Sequence, residues 1–180
     1  MATSAKDVAA YILEKKGSLT GYQLQKILYY CQAWCLAETG EPLFEDPIEA
    51  WEHGPVVASV SRFHQHCYWV NRRHIEGADA ERVPLADQCL IDAVLDAYGD
   101  LSGDQLEELT HREDPWSQAY NGRTYFGSSV ISTDAMKSYY SRLLAAKPAD
   151  RLCHIVPVFS GPASIYVSDD DYDWLAQDDD

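Results

Sequence analysis

Basic residues are scarce in this sequence of 180 residues, which has 14 lysines and arginines against 29 aspartates and glutamates and a net charge of −15. A chain this acidic repels DNA, RNA and anionic membranes unless it carries a local basic patch. The one basic group of note is Arg72, Arg73 and His74, and the acidic residues Glu76 and Asp79 follow it closely. We therefore expect no direct binding to nucleic acid.

Long apolar runs are missing too. No stretch approaches the roughly 18–20 apolar residues that a membrane-spanning helix needs. The first seven residues, Met-Ala-Thr-Ser-Ala-Lys-Asp, lack the basic region and the apolar core of a secretory signal. The five cysteines are an odd number without the regular spacing of a disulfide framework, so we expect reduced thiols. These features predict a cytoplasmic protein that does not contact a membrane.

The sequence also lacks the common catalytic and cofactor-binding motifs. None of its ten glycines falls in a GxGxxG or GxxxxGK[ST] spacing, and HExxH and GxSxG do not occur. The nearest approach to a metal cluster is His64, His66 and Cys67, of which a helix would bring only His64 and Cys67 to one face. We predict no enzymatic activity, no cofactor and no metal site. A cysteine hydrolase is the competing hypothesis from the enzyme class.

Apolar residues at helical spacing dominate the first three-quarters of the chain. Ser4 with Asp7, and Thr20 with Gln23, have the spacing of helix capping boxes. An apolar stripe from residue 24 predicts the strongest helix, which ends near Thr39. The stripe consists of Leu24, Ile27, Leu28, Cys31 and Cys35.

The same helix is apolar on a second side. At about 100° per residue, Tyr22, Tyr29 and Leu36 point away from the main stripe, and Trp34 lies at its flank. Such a helix is either central in a bundle or presents one side to a partner. A central position is the favoured interpretation.

Shorter elements are predicted downstream. Asp46-Pro47 is a typical start for a short helix over residues 48–53, and Gly54-Pro55 starts another that extends to about residue 66. Residues 68–77 are expected to form a small β-hairpin.

Three further helices are predicted, starting near Leu90, Ser102 and Ser132. After Lys147-Pro148, two apolar segments around a Ser-Gly-Pro-Ala turn predict a C-terminal hairpin, and Pro157 suits an edge strand.

The predicted fold is therefore mainly α. A compact domain of about six helices with a small β-hairpin insertion covers residues 1–147, a β-hairpin extension covers 148–168, and an acidic tail covers 169–180. The tail holds seven of the 29 acidic residues and no basic one, which leaves 22 acidic and 14 basic residues, a net charge of −8, for residues 1–168. The tail is interpreted as a solvated end or, alternatively, as a polyanion mimic that covers a basic groove on a partner.

Four blocks of sequence, taken in order, resemble one known family. They are LQKILYYCQAW at residues 24–34, PLF at 42–44 with IEAWEHGPVV at 48–57, the segment from Tyr98-Gly99 to Asp114-Pro115-Trp116, and the segment from Ile131-Ser132 to Tyr139-Tyr140. Over about residues 4–145 the chain resembles the Panacea domain, also called the SocA-like domain, of bacterial and phage antitoxins. The resemblance implies a mainly α-helical domain, without enzymatic activity, that neutralises a cognate protein toxin encoded beside it.

The resemblance also implies what the partner is. Toxins paired with this family are unrelated to one another and include nucleotide-synthetase-like enzymes and other translation inhibitors. A phage or prophage counter-defence protein and a proteolytic adaptor, each using the same binding surface, are the alternatives. This chain departs from the family at Ser61, in the helix after the Gly-Pro-Val block, where an aromatic residue is frequent; Phe63 follows two positions later.

Six residues are the candidates for contact with the partner. Aromatic side chains and arginine dominate binding hot spots because they bring large contact areas. The candidates are Tyr29, Trp34, Trp51, His53, Arg62 and Arg72. For Trp51, a structural role at a sharp corner between helices is the competing interpretation. An edge strand of the C-terminal hairpin could also support a homodimer by sheet extension.

Overall fold

The computed structural model describes residues 3–121, 129–151 and 154–159, and these form a mainly α-helical fold with two small antiparallel sheets. The helices are α1 (Ala5–Lys16), α2 (Gly21–Thr39), α3 (Ala58–Ser61), α4 (Leu85–Tyr98), α5 (Gly103–His111), α6 (Asp114–Asn121) and α7 (Thr133–Ala145). The strands are β1 (Ser18–Thr20), β2 (Ile48–Trp51), β3 (Gly54–Val57), β4 (Trp69–Asn71) and β5 (Ser129–Val130). Short 3₁₀ turns lie at Arg72–His74, Ala80–Arg82 and Pro148–Arg151. The predicted fold class is confirmed.

Helix α2 is the centre of the molecule. It packs against α7, α4, α5 and α1, and every residue over 24–36 is buried. Burial of each large apolar side chain stabilises the fold by about 1.5–3 kcal/mol relative to its exposure, so this helix carries much of the hydrophobic free energy. The prediction of a central helix is correct.

The ends of α2 follow the predicted signals. The Thr20 hydroxyl accepts a hydrogen bond from the Gln23 N–H, and the Gln23 side chain accepts one from the Thr20 N–H, which completes the capping box. Gly40 ends the helix in the left-handed conformation, with φ at +83°. These two local devices define the length of the helix independently of its packing.

The predicted helix over residues 48–53 is wrong, because this segment is strand β2. Ile48 and Ala50 are buried while Trp51 is exposed, which is the two-residue period of a strand. Asp46, which was expected to cap that helix, accepts a hydrogen bond from the N–H of Ala5 and so caps α1 instead. A single helical turn without its cap is only marginally stable, and the sheet is the better alternative.

Strand β2 forms the middle of a three-stranded antiparallel sheet. It pairs with β3 on one side and β5 on the other, and Glu52 and His53 make the turn between β2 and β3. The predicted helix from Gly54-Pro55 to residue 66 is therefore reduced to the four residues of α3, since Val56 and Val57 belong to β3.

The predicted hairpin over 68–77 is wrong in its pairing. Strand β4 exists, but it pairs with β1 in a separate sheet that places Trp69 opposite Thr20, and the following residues form a 3₁₀ turn. This pairing joins segments about 50 residues apart, so no local pattern could have predicted it.

Residues 154–159 lie against the helical core without helix or strand structure. The Tyr98 hydroxyl donates a hydrogen bond to the Ile155 carbonyl at 2.6 Å, and the Phe159 ring lies 6.1 Å from the Trp34 ring. The remainder of the predicted C-terminal hairpin and the tail over 169–180 are outside the described residues. The domain boundaries and the proposed dimer strand stay predictions.

Candidate functional site

Large exposed aromatic side chains gather on one side of the molecule. Tyr22, Trp51 and Tyr68 line a single cleft of about 490 Å³, and Tyr68 is 73% exposed. Trp69 adjoins them, with its ring 5.4 Å from that of Tyr68. We call this the aromatic cleft. A cluster of large exposed apolar side chains is uncommon on a monomeric protein and is typical of a surface that contacts another molecule.

Three separate segments build the aromatic cleft. Tyr22 is in the first turn of α2, Trp51 and His53 stand on the β2–β3 hairpin, and Tyr68 precedes β4. The pairing of β4 with β1 brings Tyr68 beside the start of α2. Because all three segments are tied to the sheets or to the central helix, the rest of the fold holds the walls of the cleft in place.

Lys26 belongs to the floor of the aromatic cleft. Its side chain is 0% exposed, and its Nζ has no hydrogen-bond partner among the described residues. Burial lowers the pKa of Lys26 to about 8, and the Glu107 carboxylate acts in the opposite direction. The ammonium is therefore still mostly charged at neutral pH. The face of Tyr22, 5.3 Å from Nζ to the ring centroid, gives it a cation–π contact.

The backbone of Gly54 passes directly over Lys26. Gly54 has a φ of +101°, and a Cβ atom there would lie 2.7 Å from Lys26 Cε and 3.1 Å from Thr110 Oγ1. Only glycine fits this conformation and this close approach without strain. Lys26, Gly54 and Thr110 come from three of the four sequence blocks, so those blocks meet around the side chain of Lys26.

Gly54→Ala is expected to lower the free energy of unfolding by about 2 kcal/mol, because the positive φ and the contact with buried Lys26 both oppose a side chain. Urea denaturation measures the change. Gly17→Ala is the matched control, since Gly17 has a φ of +77° but nothing within 4 Å of the added Cβ. Equal losses in the two variants would show that the approach to Lys26 is not restrictive.

An acidic groove of about 580 Å³ adjoins the aromatic cleft and shares Tyr22 and His53 with it. Its other lining residues are Asp104, Glu107, Glu108, His111 and Arg112. His53 Nδ1 lies 3.1 Å from the Glu107 carboxylate, and Arg112 pairs with Glu108. Burial lowers the pKa of His111, whose ring stacks on Trp116. The groove therefore presents mainly negative charge beside the aromatic rings.

The structure brings together two of the six predicted contact residues. Trp51, 43% exposed, and His53 both line the aromatic cleft. Arg62 is exposed but does not line it. Arg72 is half-buried and donates hydrogen bonds to the carbonyls of Ile75 and Ala78, so its guanidinium stabilises its own loop.

Tyr29 and Trp34 are placed in the core, each 0% exposed. In this fold they have no surface that a partner could contact. The indole Nε1 of Trp34 donates to the Tyr98 hydroxyl at 3.0 Å, and its ring packs edge-on against Tyr140 at 4.9 Å. Their apolar second side on α2 faces other helices instead of solvent.

A buried carboxyl group organises these aromatic residues. Glu113 is 5% exposed and accepts hydrogen bonds from the hydroxyls of Tyr30 at 3.2 Å and Tyr140 at 2.5 Å. Burial raises the pKa of Glu113 to about 7. We call Glu113 and its neighbours the buried tyrosine cluster: Tyr29, Tyr30, Tyr98 and Tyr140. Burial raises the pKa of each of these tyrosines well above its usual range, so all four remain neutral.

Sequence reasoning did not select Tyr22, Lys26 or Tyr68 as site residues. A signal existed for Lys26, which is a charged residue within the apolar stretch 24–36. Tyr22 was recognised only as part of the second apolar side of α2. Tyr68 had no signal, because its position depends on the pairing of β4 with β1.

Residues 3–121, 129–151 and 154–159 contain neither a group of metal ligands nor a membrane-spanning helix. There, no three histidine, cysteine, aspartate or glutamate side chains are grouped so that they could hold a metal ion. None of the helices of that same part of the chain is both long and apolar enough to cross a membrane.

Comparison with known proteins connects this site to a family. The family described as Antitoxin SocA-like, Panacea domain, matches residues 24–117, which is more than half of the chain. The chain belongs to this SocA-like family. The matched residues include Lys26, Trp51 and Tyr68 of the aromatic cleft as well as Glu113. The resemblance found in the sequence blocks is confirmed.

A curated relative agrees with the family assignment. The SocA-like chain is 32% identical over 133 residues to Antitoxin SocA of Caulobacter vibrioides (strain NA1000 / CB15N). The aligned region covers 66% of this chain and 71% of that protein. No solved structure matches the chain.

Proposed function

We propose that this protein is an antitoxin that neutralises a cognate protein toxin by binding it at the aromatic cleft. The observation that carries the proposal is the concentration of exposed aromatic side chains in one cleft, of which Trp51 and Tyr68 lie within the residues that the family matches. The matched relative is named an antitoxin, which favours this role over the adaptor and counter-defence alternatives.

The chemistry of the cleft suits a protein partner. Tyrosine and tryptophan supply large contact areas with few rotatable bonds to freeze, and such residues dominate the free energy of protein binding. Tyr22, Trp51 and Tyr68 bring three of these side chains within one cleft. Binding alone neutralises a toxin if the antitoxin covers a surface that the toxin needs, so we propose a non-enzymatic mechanism.

Charge supports the choice of partner. The net charge of −15 attracts a basic surface at long range, which speeds association without adding much to the final affinity. The acidic groove next to the aromatic cleft places carboxylates of α5 where basic residues around the contact would lie. We therefore expect a toxin with a basic face and a binding rate that falls as salt is added.

Trp51→Ala and Tyr68→Ala are each expected to raise the Kd for the toxin about 30-fold, which corresponds to the 2 kcal/mol that defines a hot-spot residue. The toxin to test is the protein encoded by the neighbouring reading frame. Isothermal titration calorimetry measures the Kd, and rescue of growth on co-expression reports neutralisation in cells.

Leu85→Ala is the control for these two variants, because Leu85 is 74% exposed and lies outside the cleft. It should leave both affinity and rescue unchanged. Full affinity in Trp51→Ala and Tyr68→Ala together would place the toxin elsewhere on the surface. A wild-type protein that neither binds the neighbouring product nor rescues growth would contradict the antitoxin role itself.

A further inference from the structure

Lys26 Nζ is buried without an ion pair or a hydrogen bond among the described residues, although the Glu107 carboxylate is near enough to favour its charged form. A buried ammonium group is stable only when it is paired or hydrogen-bonded, and such unsatisfied groups are rare in folded proteins. Lys26 Nζ has neither kind of partner among the described residues, apart from the face of Tyr22. The nearby Glu107 carboxylate lies 3.1 Å from His53 Nδ1. The ammonium group is thus available to an anion that enters the cleft.

His64 lines the same cleft, and its ring makes a hydrogen bond to the backbone of its own residue. Gln25 Oε1 accepts from the Val57 N–H at 2.7 Å, so the Gln25 amide nitrogen is the donor to His64 Nε2 at 2.9 Å. This assigns the proton of neutral His64 to Nδ1, and burial lowers the pKa of His64, which favours the neutral form. Nδ1 lies 2.9 Å from the position of a Cβ at Gly21, a cleft residue.

We propose that Lys26 is the anion-binding subsite of the aromatic cleft and that it receives a carboxylate, an aspartate or glutamate side chain, from the toxin. This inference rests on the proposed function. The ring of Tyr22 covers the ammonium group in the free protein, and it turns aside as the carboxylate enters.

A carboxylate fits the surroundings better than a phosphate does. Glu52 at the cleft and Glu107 beside it repel a dianion, whereas a single negative charge is balanced by Lys26. The aromatic walls contact the apolar part of the inserted side chain and its neighbours. Basic residues around it on the toxin would face the acidic groove, so the cleft and the groove together complement a mixed surface.

Lys26→Met tests the subsite, because it removes the charge and keeps the length of the side chain. Calorimetry is expected to show a Kd for the toxin at least tenfold higher, while the midpoint of thermal unfolding rises because a buried unpaired charge is gone. Lys15→Met is the matched control: Lys15 is half-exposed on α1 and pairs with Asp92. It should change neither affinity nor binding stoichiometry.

A double-mutant cycle separates the subsite from a merely structural role. Each aspartate or glutamate of the toxin is changed to its amide, and its affinity is measured against wild type and Lys26→Met. One toxin residue should lose affinity against wild type and lose none further against Lys26→Met. If no acidic residue couples to Lys26, the proposal is overturned.

Two other results would also overturn the proposal while leaving the proposed function intact. One is unchanged toxin affinity in Lys26→Met alongside weakened binding in Trp51→Ala. The other is loss of a dimer in Lys26→Met, seen by light scattering with toxin affinity unchanged, which would assign the subsite to a second copy of the chain.

Discussion

Trp34→Ala is expected to lower the free energy of unfolding by about 3–5 kcal/mol, the usual range for a large aromatic residue removed from a core. The variant loses the edge-on contact with Tyr140 and leaves the Tyr98 hydroxyl without the indole donor at 3.0 Å. A domain of this size is stable by only about 5–15 kcal/mol, so the variant is close to unfolding. Urea denaturation, monitored by far-UV circular dichroism because the substitution removes a fluorescent tryptophan, measures the loss.

Trp51→Ala is the natural comparison for Trp34→Ala. Trp51 is partly exposed, and its indole donates only to the Glu49 carboxylate at 2.7 Å. Its backbone carbonyl, which accepts from Trp116, survives the substitution. We expect a stability loss below about 1 kcal/mol for Trp51→Ala, with the larger effect on toxin binding. A Trp34→Ala protein as stable as wild type would contradict the core position of this residue.

In Glu113→Gln, the free energy of unfolding is expected to lose the fall that the wild-type protein shows between about pH 4.5 and 7. The pKa of Glu113 is raised from 4.5 to about 7, so between these pH values the folded protein holds a proton that the unfolded chain has released. Stability therefore falls as pH rises from about 4.5 to 7, by an amount on the order of 3 kcal/mol. Below this window the group contributes no penalty, and above it the penalty is complete.

Urea denaturation at a series of pH values from 4 to 8 measures this effect as the difference between the wild-type and Glu113→Gln curves. The amide still accepts a hydrogen bond from the Tyr30 and Tyr140 hydroxyls, so the buried tyrosine cluster stays packed. Glu76→Gln, at an exposed position, should keep the wild-type slope. Parallel curves for wild type and Glu113→Gln would show that the pKa of Glu113 is the same in the folded protein as in the unfolded chain.

The family's sequence blocks serve two different purposes in this fold. Trp34, Tyr98 and Glu113 belong to the core around the buried tyrosine cluster, where their contacts are hydrogen bonds and ring packing. Lys26 lines the aromatic cleft, and Gly54 packs against its side chain. A recurring aromatic residue in such a block is therefore not by itself an indication of partner contact. Exposure separates the two roles.

Trp34 and Trp51 show that residue type alone does not predict which side chains contact a partner. Both residues were selected as contact candidates because tryptophan is frequent at hot spots, and one of them, Trp34, is fully buried. Helical periodicity placed Trp34 at the flank of the second apolar side, but it could not say whether another helix covers that side. In the structure α7 and the segment 154–159 cover it.

The features of this protein that have local causes could be predicted from its sequence alone. Capping residues and the helical periodicity of apolar side chains act within one or two turns. The ends of α2 and its central position could therefore be predicted. The mainly helical class and the family followed from the same stretches and from the order of the blocks.

Which face of each element is covered, and which segments pair, depends on contacts that exist only in the folded chain. Residues 48–57 form strands because pairing in a sheet stabilises them more than a short helix would, and because Asp46 caps α1 and is not available to cap that helix. Strand β4 pairs with β1, which lies about 50 residues earlier in the chain. Lys26 became a site residue because Gly54 of the β2–β3 hairpin passes over it. Such contacts join residues far apart in the chain, and their free energy exists only once the chain is folded.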